Sequence, residues 1–248
     1  PGLTPGTRVQ CFGGCLSSCV EGWSDCNHFP ADGCEIHVDN DRSNCGACGR
    51  ACAAGQTCVG GVCGPTPPAP MLTARYGHAA AVARDGRVYV WGGTNGRSTY
   101  YSSVERYDPA TDAWTYRAAL PSTVFGAVGV TLPDGRLLTV GGYGTGPSTT
   151  VLAYDPALDT WSPVASMRTG RYHAAAALGR DGKVYVFGGR GGFLPATVIT
   201  TSEVYDPTAN TWSAIASSAV ARVGATAVTA LDGRIYVFGG SSDIDGQW

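Results

Sequence analysis

The chain has 248 residues, a net charge of −2 and 15% charged residues, against about 25% in an average soluble domain. No apolar run approaches the roughly 18 residues that a membrane helix needs. The near-neutral charge and the lack of Lys or Arg runs also argue against a nucleic-acid binder. All ten cysteines fall between Cys11 and Cys63, so the sequence divides into two parts of different chemistry.

The first part, residues 1–63, is rich in cysteine and poor in apolar side chains. So short a segment cannot bury enough apolar surface by itself, and the even cysteine count predicts a small module held by disulfides. The pairing cannot be deduced from the spacing. The cysteines predicted to form disulfides are Cys11, Cys15, Cys19, Cys26, Cys34, Cys45, Cys48, Cys52, Cys58 and Cys63.

Two metal sites are alternatives within this module. The CxxC motif at Cys45 and Cys48 would suit zinc or an iron–sulfur cluster, although a second CxxC or a nearby His pair is missing. Acidic and amide side chains could gather oxygens around Ca²⁺, although their spacing differs from an EF-hand loop and turn chemistry explains them more simply. These side chains are Asp25, Asn27, Asp32, Glu35, Asp39 and Asp41.

The cysteine pattern resembles two kinds of secreted module. Cys45-Gly-Ala-Cys-Gly-Arg-Ala-Cys52, followed by Gly55-Gln-Thr-Cys58 and Gly61-Val-Cys63, resembles stigma-specific-type modules. Asp25-Cys-Asn27 and Asp32-Gly-Cys-Glu35 resemble cysteine-rich repeats of secreted bacterial surface proteins. The resemblance covers residues 19–63 and implies an extracellular spacer or adhesion module. Disulfides likewise indicate an oxidising compartment.

Residues 64–70 contain four prolines. Such a segment favours the extended polyproline II conformation, which predicts a stiff linker between two domains.

From Met71 onward one pattern recurs at intervals of 49, 47 and 51 residues. An apolar strand ends in Gly-Gly, and an Asp-Gly pair, a signal for a tight hairpin, lies seven residues before it. The Gly-Gly pairs begin at Gly92, Gly141, Gly188 and Gly239. Three of them are followed by Tyr-Asp-Pro and then by Trp: Tyr107/Trp114, Tyr154/Trp161 and Tyr205/Trp212, interpreted as blade packing. Strands that are apolar on both faces must be covered on both sides.

A repeat near 50 residues with these marks resembles the kelch family of β-propellers. The resemblance covers residues 71–248 and implies an all-β fold, a partial propeller of about three and a half four-stranded blades. The blades are expected at about 71–117, 118–164 and 165–215, with a partial blade at 216–248. The Ala-rich runs beginning at His78 and His173 favour a helix by propensity, but their register places them in the innermost strands. Propellers close with four to eight blades, so we expect further blades beyond Trp248.

The loops between the second and third strands, at 94–102, 143–150 and 190–201, are longer and more varied than the Asp-Gly turns at the opposite end. Variable loops on a rigid frame often carry binding residues. This loop-rich end carries Arg and aromatic residues and, by position in the repeat, no acid in the three complete blades. Arg beside Tyr suits a carboxylate or sulfate, with stacking on a sugar or peptide. The predicted binding residues are Arg75, Tyr76, Arg97, Tyr100, Tyr101, Tyr143, Arg168, Arg171, Tyr172, Arg190, Phe193 and Arg222.

The alternative interpretation is structural. Turn chemistry would place the Asp residues at one end, and Arg75, Arg171 and Arg222 would brace neighbouring blades. His78 and His173 are interpreted as equivalent, buried and hydrogen-bonded structural residues at the start of the inner strands, replaced by Gly126 and Gly224 in the other blades.

The sequence therefore predicts a secreted or cell-surface, non-catalytic binding or adhesion module without a cofactor, whose partner is a protein or an anionic glycan. The alternative is a fragment of a kelch-propeller enzyme resembling galactose oxidase or a sialic acid mutarotase. The oxidase needs a Tyr cross-linked to Cys, and residues 64–248 contain no Cys. For the mutarotase, no carboxylate or His pair is clearly placed for proton transfer.

Overall fold

The structure, a computed structural model, describes residues 7–11, 15–19, 21–27, 34–97, 99–192 and 197–242, and for residues 7–18 only the backbone. The chain divides into two units, Pro1–Pro68 and Ala69–Trp248. Every regular element in the described ranges is a β-strand, which confirms the all-β prediction. Among these residues, no helix has the length and apolarity needed to cross a membrane.

The first unit consists of short antiparallel hairpins joined by disulfides. Its hairpins pair β1 (Thr7–Cys11) with β2 (Cys15–Cys19), β3 (Trp23–Ser24) with β4 (Ile36–His37), and β5 (Gln56–Val59) with β6 (Val62–Pro65). The disulfides join Cys19 to Cys34, Cys26 to Cys48, Cys45 to Cys58 and Cys52 to Cys63. The prediction that disulfides hold this unit is therefore confirmed. The side chains of Cys11 and Cys15 lie outside the described residues.

The disulfides account for the CxxC motif, because Cys45 and Cys48 belong to different bridges and neither offers a free thiolate. Acidic side chains of the module serve its turns. Glu35 accepts the backbone N–H groups of Cys26 and Asn27 at 2.8 and 3.1 Å. Asp41 accepts the N–H of Ser43 at 2.7 Å, and Asp32 lies outside the described residues.

In the described residues, the second unit contains three four-stranded antiparallel sheets and two two-stranded sheets. Blade 1 contains β7 (Ala79–Val82), β8 (Val88–Trp91), β9 (Val104–Asp108) and β10 (Ala113–Arg117). Blade 2 contains β11 (Val128–Thr131), β12 (Leu137–Val140), β13 (Val151–Asp155) and β14 (Thr160–Pro163). Blade 3 contains β15 (Ala175–Leu178), β16 (Val184–Phe187), β19 (Ser202–Asp206) and β20 (Thr211–Ile215), with the hairpin β17 (Arg190–Gly191) and β18 (Thr197–Val198) in its loop. Blade 4 contains β21 (Thr226–Thr229) and β22 (Ile235–Phe238).

The first strands of successive blades pack against one another around the axis. Their entry points are joined by backbone hydrogen bonds, in which Gly126 donates to Gly77 at 2.7 Å, His173 to Gly126 at 2.7 Å and Gly224 to His173 at 2.8 Å. Within β11, Gly129 allows this close approach because a Cβ atom there would collide with the carbonyl of Ala80. Small residues in the inner strands are therefore a packing requirement, and propensity for helix does not decide their structure.

The Tyr and Trp markers form an outer latch in each complete blade, together with an Asp or Asn five residues after the Tyr. In blade 2, Asp159 accepts the hydroxyl of Tyr154 at 2.5 Å and the N–H of Ala118 at 2.9 Å. The indole of Trp161 donates to the carbonyl of Ala118 at 2.9 Å. Blades 1 and 3 repeat the latch with Tyr107, Asp112, Trp114 and Ala69, and with Tyr205, Asn210, Trp212 and Ala165. The latch ties the chain entering each blade to that blade's outer hairpin.

The acid-rich end is explained by its turns. Asp85 accepts the N–H of Arg87 at 3.1 Å and pairs with its guanidinium at 2.7 Å. Asp134 and Arg136 repeat both contacts in blade 2. Because hairpin chemistry uses these carboxylates, the charge difference between the two ends does not by itself indicate a ligand.

Asp159 offers a test of the latch, because it adopts a left-handed backbone (φ 53°) that Asn also tolerates and that Asn210 adopts in blade 3 (φ 52°). We expect Asp159→Ala to lose about 2 kcal/mol in urea unfolding, from two hydrogen bonds and backbone strain. Asp159→Asn should lose less than about 0.5 kcal/mol, since Asn keeps the acceptor. Equal losses in the two variants would contradict the latch.

The hydrogen bond between Tyr154 and Asp159 also predicts how the stability of the protein depends on pH. The hydrogen bond from Tyr154 lowers the pKa of Asp159, so its contribution is present above the unfolded pKa, about 3.9, and is lost as the pH falls through the lower folded pKa. Asp159→Asn should lack this component in acid unfolding curves.

Candidate functional site

Two buried ion pairs underlie the loop-rich end of the propeller. Arg75 contacts Glu105 at 2.5 Å, and Arg171 contacts Glu203 at 2.8 Å, with all four side chains at most 3% exposed. Burial lowers the pKa of Arg171, and Glu203 opposes that change. Each guanidinium is thus held by a carboxylate in the interior.

Each of these arginine side chains donates to two carbonyls where the second strand ends and the third begins, and to one carbonyl ahead of the first strand. Arg75 donates to the carbonyls of Thr73, Gly92 and Ser103 at 3.4, 2.8 and 3.1 Å. Arg171 makes the equivalent bonds to Thr169, Gly188 and Thr201 at 3.4, 2.8 and 2.8 Å. We call this arrangement the arginine brace.

The arginine brace corrects two predictions. Arg75 and Arg171 hold together their own blades, whereas the sequence suggested that they brace neighbouring ones. The loop-rich end is also not free of acid, because Glu105 and Glu203 lie near the starts of the third strands at that end. Their pairing with arginine leaves neither charge available to a partner.

The remaining predicted arginines differ in their surroundings. Arg222 donates to the carbonyl of Gly239 at 2.6 Å, as the brace requires. Arg97 and Arg168 are exposed and Arg190 is half-buried, and in the part of the chain that the structure describes none of these three forms an ion pair. Arg117, placed at the loop-rich end by its sequence position, instead pairs with Asp159 at 3.7 Å.

Aromatic rings form a continuous row across the loop-rich end. Phe125 contacts Tyr76, Tyr100 and His173, with ring centroids 5.9, 6.0 and 4.9 Å apart. Tyr172 extends the row between His173 and Tyr143, at 5.3 and 5.1 Å. The aromatic row comprises Tyr76, Tyr100, Phe125, His173, Tyr172 and Tyr143. It crosses from blade 1 to blade 3.

The aromatic row follows from the repeat. Tyr76, Phe125 and Tyr172 each lie three residues before an inner strand and bridge to the segment after the Gly-Gly pair. Phe125 is not among the binding residues predicted from the sequence, although its repeat position equals that of Tyr76 and Tyr172. Tyr101 lies outside the row, under the guanidinium of Arg75 at 5.2 Å. Phe193 lies outside the described residues.

His173 corrects the assumed equivalence of the two histidines. By register it matches Gly77, Gly126 and Gly224, and it shares their left-handed conformation, with φ 51°. His78 is one position further along its blade and is exposed, so the prediction of a buried structural residue is wrong for it. His173 is half-buried, and burial and then Arg190 lower its pKa, which favours the neutral imidazole at pH 7.

These sheets and their repeated loops define a β-propeller assembled from kelch-type blades. Residues 62–240 match the family model described as the KLHDC2/KLHL20/DRC7 Kelch-repeats domain. The match covers more than half of the chain, which therefore belongs to the kelch-repeat family. The resemblance of residues 19–63 to secreted modules stays a prediction.

Individual proteins with similar sequences cover shorter stretches. Beta-scruin of Limulus polyphemus is 36% identical over 77 residues, which are 31% of this chain and 8% of that protein. Kelch-like protein 34 of Homo sapiens is 42% identical over 74 residues, which are 30% of this chain and 11% of that protein. The chain thus spans only about a tenth of these curated relatives.

A solved structure supports the fold. The structure titled "Structure of YjhT" aligns with a TM-score of 0.59 at 20% identity, over 69% of this chain and 60% of that chain. At this identity the likeness concerns the propeller fold alone.

The arginine brace makes a stability prediction. Glu105→Leu leaves the guanidinium of Arg75 buried without a counterion and should cost about 3–5 kcal/mol. The double variant Arg75→Val/Glu105→Leu removes both charges and copies Val124 and Leu152, which occupy these repeat positions in blade 2. In chemical denaturation the double variant should lose less free energy of unfolding than Glu105→Leu. A larger loss in the double variant would contradict the electrostatic account.

Proposed function

We propose that this protein is a non-catalytic binding module whose propeller binds an acidic segment of a partner protein through the aromatic row and its neighbouring arginines. The observation that carries the proposal is the partly exposed aromatic row beside arginines that have no ion pair among the described residues. Membership of the kelch family supports a protein partner.

The aromatic row has the properties of a contact surface. Tyr76 and Tyr100 are 55% and 47% exposed, and tyrosine gives a large contact area at a small cost in side-chain entropy. Arg97 and Arg190 flank the row within the loops at 94–102 and 190–201. A guanidinium can hold a carboxylate by two parallel hydrogen bonds, so an acidic peptide would match both the rings and the charges.

We propose a non-catalytic role because of the surroundings of His173, whose imidazole belongs to the aromatic row. The influences on its pKa are burial and the positive charge of Arg190, and neither provides a second group that exchanges a proton near pH 7. General acid–base catalysis usually needs a partner with a suitable pKa in hydrogen-bond reach. The surroundings of His173 therefore favour ring contacts with a ligand over proton transfer.

We also propose an extracellular or cell-surface location. Four disulfides cross-link the described part of the first unit, and structural disulfides persist mainly in oxidising compartments. An adhesion or presentation role follows from this location, with the cysteine-rich unit as a spacer.

The test uses the whole chain and two immobilised probes, an oligo-glutamate peptide and an oligogalacturonate. The variants Arg97→Gln and Arg190→Gln are compared with Arg84→Gln, a matched control at an exposed position between β7 and β8. We expect the peptide to bind, and the double variant Arg97→Gln/Arg190→Gln to weaken binding at least tenfold, about 1.4 kcal/mol. The control should bind as the parent does.

Three outcomes would count against this proposal. Binding unchanged in the double variant would exclude the two arginines, and equal losses in the control would indicate non-specific charge attraction. Binding of the oligogalacturonate alone would make the partner an anionic glycan and would overturn the assignment to a protein.

A further inference from the structure

Blade 2 lacks the arginine brace. Arg75, Arg171 and Arg222 each lie four residues before the first strand of their blade, and Val124 holds that position in blade 2. The carboxylate is replaced as well, because Leu152 stands two residues before Tyr154 where the other complete blades have Glu105 and Glu203. Both partners of the ion pair are thus exchanged for shorter apolar side chains.

The exchange leaves a cavity of about 540 Å³ that is lined by Val124 and Leu152. Its walls include Ser122, Gly141 and Thr150. By repeat position these three residues correspond to Thr73, Gly92 and Ser103, whose carbonyls accept hydrogen bonds from Arg75 in blade 1. Blade 2 therefore keeps the backbone that receives three donors and lacks the side chain that supplies them.

A residue with a buried hydroxyl lines the same cavity. Thr139 lies on β12, is 4% exposed and lines the cavity, yet its Oγ1 has no hydrogen-bond partner. The equivalent residues in blades 1 and 3 are Val90 and Val186. An unpaired buried hydroxyl costs about 1–3 kcal/mol. A ligand that reaches this hydroxyl would remove that cost in the complete blade that lacks the brace.

The lining selects the ligand. Among the described residues, no charged side chain lines this cavity, and a buried ion without a counterion is costly. The carbonyls can accept hydrogen bonds, the hydroxyls of Ser148 and Thr149 can donate or accept, and Leu120 adds an apolar wall. Sugars combine several hydroxyl groups with an apolar ring face. The volume lies within the usual range for small-molecule pockets, about 300–1,000 Å³.

We propose that the cavity of blade 2 is a binding site for a neutral polyhydroxylated ligand, of the size of one or two sugar residues. None of the six residues of the aromatic row lines this cavity, and the proposal does not depend on the function proposed for that row. Its defining groups are the backbone at Ser122, Gly141 and Thr150, the hydroxyl of Thr139, and the apolar walls left by the missing brace.

The test is an NMR titration of the whole chain with the methyl glycosides of glucose, galactose, mannose and N-acetylglucosamine. At least one glycoside should shift the amide signals of Gly141 and Thr150 in a saturable manner. The variant Val124→Arg/Leu152→Glu rebuilds the brace of blades 1 and 3 and should weaken that binding at least tenfold. Arg84→Gln, in the turn between β7 and β8 and outside the cavity lining, should leave it unchanged.

A second variant keeps the test decisive if the rebuilt brace does not fold. Thr139→Val installs the residue of blades 1 and 3, so it should fold, resist denaturation better and bind the glycoside several-fold more weakly. The proposal is overturned if none of the glycosides produces a saturable shift or if Thr139→Val binds as the parent does. Guanidinium chloride is titrated as a separate probe. If it shifts these amide signals and no glycoside does, the proposal is also overturned.

Discussion

The geometry of each blade depends on how it satisfies the carbonyls where its second strand ends and its third begins. The Gly-Gly turn directs the carbonyl of Gly92 inward, and Arg75 donates to it and to Ser103 while its charge is held by Glu105. Buried carbonyls need donors, and one guanidinium supplies several in a fixed plane. In blades 1 and 3 the brace therefore sets where the long loop leaves the rigid frame, and with it the positions of the aromatic side chains nearby.

The arginines of the loop-rich end fall into two groups, those of the arginine brace and those outside it. Arg75 and Arg171 belong to the interior, whereas Arg97, Arg168 and Arg190 remain as cations available to a partner. The aromatic row lies across the same end and includes His173, which accepts a left-handed backbone at a position that is glycine in the other blades. Strain of this kind is often retained at functional sites, which supports a role for His173 in contact with a ligand.

The repeat made the fold predictable, because Asp-Gly, Gly-Gly, Tyr-Asp-Pro and Trp recur in one register and each marks a turn or a latch. The site was predictable only in part. Counting charges by loop position missed Glu105 and Glu203, since an ion pair across strands depends on register and burial. His78 and His173 were matched by residue type, although their repeat positions differ by one. Matching the blades by strand register would have avoided this error and would also have placed Phe125 among the predicted binding residues. The disulfide pairing depends on three-dimensional contacts that spacing does not encode.

The most direct test of the arginine brace and of the cavity in blade 2 is a crystal structure of the chain soaked with a methyl glycoside. We expect ordered guanidinium–carboxylate pairs in blades 1 and 3. In blade 2 we expect a glycoside that is hydrogen-bonded to the carbonyl of Gly141 and the hydroxyl of Thr139. A collapsed cavity, with the loop of residues 144–149 packed onto Val124 and Leu152, would contradict the account.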